Sequence, residues 1–102
     1  ISDALQRRSS GWSPFVLDVR SDGEYHQAHA ASCDLLVPHD QVGSALDQIP
    51  SDRDILVYCR SGMRSQIAAM SMIQAGYDAT RVYNLDGGIT AWKAAAPDEI
   101  IN

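Results

Sequence analysis

The feature that most constrains this chain is the segment Asp54 to Tyr58, its most hydrophobic stretch, which runs without a spacer into Cys59-Arg60-Ser61-Gly62-Met63-Arg64. A short β-branched and aromatic run reads as a buried strand, and the glycine-bearing turn after it opens a stretch with helical spacing. Ile67, Ala68, Met70, Met72 and Ile73 supply apolar positions of a helix from about Arg64 to Ala75, with Gly76 as its stop. The same alternation recurs along the chain. Phe15 to Val19 after Pro14, Leu35 to Val37 before Pro38, and Thr80 to Leu85 read as further strands. Between them lie a first helix from Asp3 to about Ser9, capped by Ser2 and closed by Gly11, and a loop with a short helix from Ser21 to Ala28. An Asp40-capped helix follows, carrying Val42, Ala45, Leu46 and Ile49 and ending at Pro50; a last helix runs from Gly87-Gly88 through Trp92 and closes at Pro97. Strands alternating with helices define an α/β domain with a mainly parallel sheet and helices on both faces.

With 102 residues the chain has material for one core and no internal domain boundary. Its longest apolar runs are too short to span a membrane. The net charge of −5 removes the clustered cations that nonspecific nucleic-acid binding requires, so neither a nucleic acid nor a membrane is an expected partner. Two cysteines, Cys33 and Cys59, lack the spacing of a zinc site and are too few for a disulfide framework, which favours a reducing, cytoplasmic setting. The chain starts at Ile1 rather than Met, as a piece of a longer protein would, and shows no basic start followed by an apolar stretch.

In parallel α/β sheets, ligands bind beyond the carboxyl ends of the strands, where Cys59 to Arg64 is expected to lie. Cys59 there precedes a helix, whose free N–H groups and positive dipole end favour thiolate over thiol, and Arg60 and Arg64 add two cations. Gly62 lets the turn aim its N–H groups inward as an anion nest, with Ser61 and Ser65 as hydroxyl donors. Cys59 is thus a candidate nucleophile, against the plainer reading of a small buried hydrophobe at a strand end. An arginine in the first turn, as at Arg64, is unfavourable without an anionic partner, which points to a bound anion.

These residues resemble the rhodanese (thiosulfate sulfurtransferase) superfamily at several separated places. Leu17-Asp18-Val19-Arg20 with Glu24-Tyr25 is similar to its N-terminal signature, His29 to its Gly-His pair, Tyr58 through Ser65 to its active-site loop, and Leu85 to Ile89 with Trp92 to its C-terminal signature. The resemblance implies a central, mainly parallel five-stranded sheet flanked by helices. It also implies a Cys59 persulfide, formed from thiosulfate or another persulfide donor and discharged to cyanide, a thiol or a protein. Arg60 and Arg64 would bind or orient the small sulfur-containing anion within the loop Arg60, Ser61, Gly62, Met63, Arg64 and Ser65. No metal or organic cofactor is implied. Asp18 would accept local backbone hydrogen bonds, and Arg20 and Glu24 would either form an ion pair bracing the site or stand as separate solvated charges. His29 is expected to be a hydrogen-bonded core residue, Gly87-Gly88 a turn facing the loop, and Trp12 and Trp92 packing residues. The chain departs from the family at Ala28-His29-Ala30 and Ser32-Cys33, where Cys33 reads either as packing or as a resolving thiol. Cys-dependent phosphatases place more than the four residues Arg60 to Met63 between cysteine and arginine, because phosphate needs a wider cradle. Alternatives within the resemblance are a noncatalytic binding or redox-sensing module, and the sulfur-donating end of an adenylyltransferase fusion, suggested by the tail Ala94 to Asn102.

Overall fold

The computed structural model describes residues 12–102. The first expected helix, Asp3 to Ser9 with its cap and stop, lies outside the described residues. The main sheet consists of β1 (Phe15–Asp18), β3 (Leu35–Leu36), β4 (Ile55–Tyr58) and β5 (Val82–Asn84), all parallel, in the spatial order β3-β1-β4-β5. This is the α/β architecture expected, with four strands among the described residues where the resemblance implies five. A separate antiparallel ribbon joins β2 (His29–Ala30) to β6 (Ile100–Ile101). The sequence reading contained neither of these two-residue strands.

β1 and β4 lie side by side at the centre, and the two-residue period of a strand divides their side chains between two cores. Leu17, Val19, Ile55, Val57 and Cys59 face one side, where Val42, Ile49, Ala68 and Met72 cover them. Val16, Leu56 and Tyr58 face the other, against Leu85, Ile89, Trp92 and Ile100. α2 (Met63–Gln74) supplies Ala68 and Met72 to the first cover, with Val42 and Ile49 added by the segment after Pro38, and α3 (Gly88–Ala95) supplies Ile89 and Trp92 to the second. Each fully buried aliphatic side chain of this kind contributes about 1.5–3 kcal/mol. Trp92 has no exposed surface and meets the Tyr58 ring edge-on at 5.5 Å.

Two local expectations are corrected. The Asp40-capped α-helix is instead a pair of 3-10 segments, His39–Ser44 and Leu46–Gln48, with Pro38 at the N-cap and no side-chain cap. Their bonds run three residues back, from Gln41 N–H to the Pro38 carbonyl, Ala45 to Val42 and Gln48 to Ala45. The tighter turn still buries Val42, Ala45 and Ile49, and the intervening Gly43 weakens the case for an α-helix. On α2, the inward face is made by Ser65, Ala68, Ala69 and Met72, while Ile67, Met70 and Ile73, expected to help fill the core, stay exposed together with Met63. Small residues let the helix lie close to the sheet, and its outer face keeps the larger apolar side chains.

The remaining helix, α1 (Asp22–Gln27), buries no residue. A capping box holds its start: the Ser21 hydroxyl accepts the Glu24 N–H at 3.2 Å, and the Glu24 carboxylate accepts the Ser21 N–H at 3.1 Å. Among the described residues no helix is long and apolar enough to cross a membrane.

Candidate active site

Cys59 is the first residue beyond the carboxyl end of β4, a strand with neighbours on both sides, and is 1% exposed. Gly62 turns the chain from this strand end into α2 with φ +107°, a left-handed conformation in which an added Cβ would also crowd the Gly87 nitrogen at 3.1 Å. That turn carries the Gly62 N–H to the Cys59 sulfur at 3.0 Å, and the Ser65 hydroxyl, one turn into α2, lies 3.4 Å from the same sulfur. Burial pushes the Cys59 thiol up. The Ser65 hydroxyl and the amides of Ser65, Gly62 and Ser61 outweigh it, so the thiol sits below its ordinary value. α2 has no side-chain cap, and amides at its start point at sulfur instead.

The outer side of the loop explains why its N–H groups are free to point inward. The carbonyls of Cys59, Arg60 and Ser61 accept hydrogen bonds from Ile89 at 2.8 Å, Thr90 at 3.4 Å and Gly87 at 3.1 Å. The Thr90 hydroxyl adds a bond to the Arg60 carbonyl at 3.1 Å. α3 has no side-chain cap either, so the loop after Cys59 itself satisfies amides of its first turn. Gly87-Gly88 therefore faces the loop as expected. Gly88 is indispensable to the fit, because a Cβ there would stand 2.3 Å from the Cys59 carbonyl oxygen.

The charged residues are arranged differently from the sequence expectation. Arg20 pairs with Asp18, not Glu24: its Nη2 donates to Asp18 Oδ2 at 2.7 Å and its Nε to Oδ1 at 3.0 Å. Both side chains are buried, and a buried guanidinium requires the nearest buried carboxylate. The Asp18 carboxylate also accepts the Arg20 N–H at 2.9 Å, the local backbone bond anticipated for it, and Arg20 reaches the Ala28 carbonyl at 2.6 Å. Glu24, held at the start of α1 by its capping box, forms two bonds of 2.8 Å with Arg64. The anionic partner that Arg64 requires is thus a side chain of this protein rather than a bound anion. The Arg64 guanidinium, helped by the Ser21 hydrogen bonds and opposed by burial, lowers the Glu24 carboxyl to about 2.

Arg60 is exposed and has no ion-pair partner among the described residues. It lines a cleft of about 320 Å³ together with Arg20, Glu24, Gln27, Ile89 and Thr90. Ser61 and Met63 are exposed on the loop, whereas Gly62 and Ser65 are buried. His29 is half-buried, with Nδ1 2.9 Å from the Tyr25 carbonyl and its ring stacked on Tyr25 at 3.9 Å. Trp12 packs edge-on against Tyr83 and donates to Asp54. Cys33 is a half-buried free thiol packed against the core on the Trp92 side and raised above its ordinary value chiefly by burial, whereas Cys59 packs in the core on the α2 side. Among the described residues, no cluster of His, Cys, Asp and Glu could hold a metal ion.

Asn84, the last residue of β5, was missed by the sequence reading. Its Oδ1 accepts from the Ser65 hydroxyl and its Nδ2 donates to the Gly62 carbonyl at 3.3 Å. The available signal was positional: a polar residue closing a strand at the carboxyl edge of the sheet.

Residues 2–95 match the Rhodanese-like domain family, and the chain belongs to it. A curated relative, "Sulfurtransferase" of Allochromatium vinosum, is 38% identical over 92 residues, covering 89% of this chain and 83% of the relative. The crystal structure of reduced Bacillus anthracis CoADR-RHD superposes with a TM-score of 0.81 at 28% identity, covering 99% of this chain and 17% of that one. The chain therefore spans about a sixth of that protein's length. The solution structure of the rhodanese-like domain of the Anabaena Alr3790 protein gives a TM-score of 0.76 at 29% identity, over 93% of this chain and 72% of that one.

Proposed function

We propose that this chain is a sulfurtransferase that carries a sulfane sulfur on Cys59. Family membership and the sulfurtransferase relative support the general role. The observation that carries the mechanism is the buried Cys59 sulfur receiving the Gly62 amide and the Ser65 hydroxyl, an arrangement that favours the anionic sulfur. In the first half-reaction the Cys59 thiolate attacks the outer sulfur of thiosulfate, forming the Cys59 S–S bond while the donor S–S bond breaks and sulfite leaves with the electron pair. The negative charge now rests on the outer persulfide sulfur, beside the loop amides. In the second half-reaction cyanide, a thiolate or a protein acceptor takes that sulfur, and the Cys59 thiolate is the leaving group. The two half-reactions give ping-pong kinetics.

The donor in this reading is a small sulfur-containing anion such as thiosulfate or another persulfide donor, drawn to the exposed Arg60 at the edge of the cleft. Arg64 acts at one remove, bracing the start of α2 through Glu24. Two unbridged cysteines favour a reducing, cytoplasmic setting for this chemistry. Intact mass after exposure to thiosulfate, before and after cyanide, tests the proposal. The expected result is a gain of one sulfur atom's mass that cyanide reverses and that Cys59→Ser abolishes. Full sulfur loading in a folded Cys59→Ser variant would overturn it.

A further inference from the structure

The Ser65 hydroxyl faces three acceptors, Asn84 Oδ1, the Gly62 carbonyl at 3.1 Å and the Cys59 sulfur at 3.4 Å, and it has one proton to give. The orientation of the Asn84 amide is fixed by one of these acceptors, the Gly62 carbonyl. Its NH2 end meets the Gly62 carbonyl, and the reverse orientation would set two carbonyl oxygens against each other. Asn84 therefore offers Ser65 an oxygen, which can only accept. While that oxygen holds the proton, Ser65 presents a lone pair to Cys59, which suits a neutral thiol donating its S–H. A thiolate needs the reverse arrangement, with the Ser65 O–H turned toward sulfur.

We propose that Asn84 is a positioning residue that competes with the Cys59 sulfur for the single Ser65 proton. It holds the hydroxyl while Cys59 is a thiol and yields it when Cys59 becomes a thiolate. Of the groups that favour the Cys59 anion, the Ser65 hydroxyl is the strongest, so control of its one proton has leverage on the nucleophile. The charged groups around the loop are Arg60 within it, Arg64 on α2, Glu24 on α1, the Asp18-Arg20 pair at the end of β1 and Asp86 before α3. None of them lies in the Ser65-Asn84 contact, and substitution of Asn84 leaves their charges unaltered. In the sulfur-transfer reading, on which only this clause rests, charge on the outer sulfur of the persulfide releases the hydroxyl to Asn84, and the returning thiolate recaptures it.

The test is the pH dependence of iodoacetamide alkylation of Cys59, read by peptide mass so that Cys33 is scored separately. Asn84→Ala and the near-isosteric Asn84→Leu free the Ser65 proton. Each is expected to lower the alkylation midpoint, giving about three- to tenfold more thiolate at pH values below both midpoints, the worth of one hydrogen bond. In a Ser65→Ala background the same substitutions are expected to change nothing. Asn84→Asp, a stronger acceptor, is expected to raise the midpoint, and by more with Ser65 present than without it. An unmoved or raised midpoint in a folded Ala or Leu variant would overturn the proposal. So would the same shift without Ser65, or an Asp effect independent of Ser65. Alkylation needs no sulfur donor, so a chain that never loads sulfur but shows these shifts would sink the sulfurtransferase reading and leave this one standing.

Discussion

At the scale of single residues, two ion pairs near the site have different characters. Asp18 and Arg20 are sealed in the core, whereas Glu24 and Arg64 retain 28% and 32% of their side-chain exposure. Solvent screens the second pair, which is worth on the order of 1 kcal/mol. Its pH dependence has a definite sign. The Glu24 carboxyl is lowered in the folded state to about 2 from an ordinary 4.5, so its stabilisation is complete above about 4.5 and is lost as pH falls toward about 2. Glu24→Gln keeps the capping-box shape and removes the charge. Thermal melts are expected to show it less stable than the parent at pH 7, with the gap closing between about pH 4.5 and pH 2; a constant gap would mean that the charge contributes nothing. Neither this pairing nor the Asn84 contact was legible in the sequence, because partners 40 and 19 residues apart leave no local pattern. The loop from Cys59 to Ser65 was legible because a strand end, a glycine and a helix start follow one another within seven consecutive residues.

At the scale of elements, the loop and the first turn of α3 satisfy each other's backbone. That mutual arrangement makes Gly88 the most sensitive glycine described. At φ +55° a side chain is strained, and its Cβ would also meet the backbone oxygen of Cys59. Gly88→Ala is expected to cost roughly 2–4 kcal/mol in urea melts and to raise the alkylation midpoint of Cys59. Gly43→Ala, with nothing within 4 Å of its added Cβ, is expected to stay within about 0.5 kcal/mol of the parent. Equal losses in the two variants would show that close approach at Gly88 is not what matters. Longer elements were easier to read than short ones. The strands at Phe15 and Ile55 and the helix after Cys59 follow hydrophobic period and turn residues. The ribbon of His29–Ala30 with Ile100–Ile101 does not, since two residues carry no period and their pairing is set by tertiary contact. The segment after Pro38 kept its buried positions but not its helix type, because spacings of three and four residues serve a 3-10 turn nearly as well as an α-helix.

At the scale of the whole molecule, the central sheet separates the two thiols. Cys59 belongs to the core beneath α2, whereas Cys33 packs, half-buried, against the core around Trp92, so the two thiols lie against opposite faces of the sheet. Treatment of the folded protein with diamide is expected to give no intramolecular disulfide. Intact mass lower by two hydrogens, with both thiols resistant to alkylation, would restore the resolving role for Cys33. The sheet also makes the surroundings of Cys59 a product of assembly. β4 delivers Cys59, α2 the amides and hydroxyl around it, β5 the residue that holds that hydroxyl, and α3 the donors that fix the loop from behind. Acidity at one sulfur is thus a gauge of completed folding. In an unfolded chain Cys59 is a cysteine like any other, and its heightened acidity belongs to the assembled loop that the first turn of α3 holds from behind.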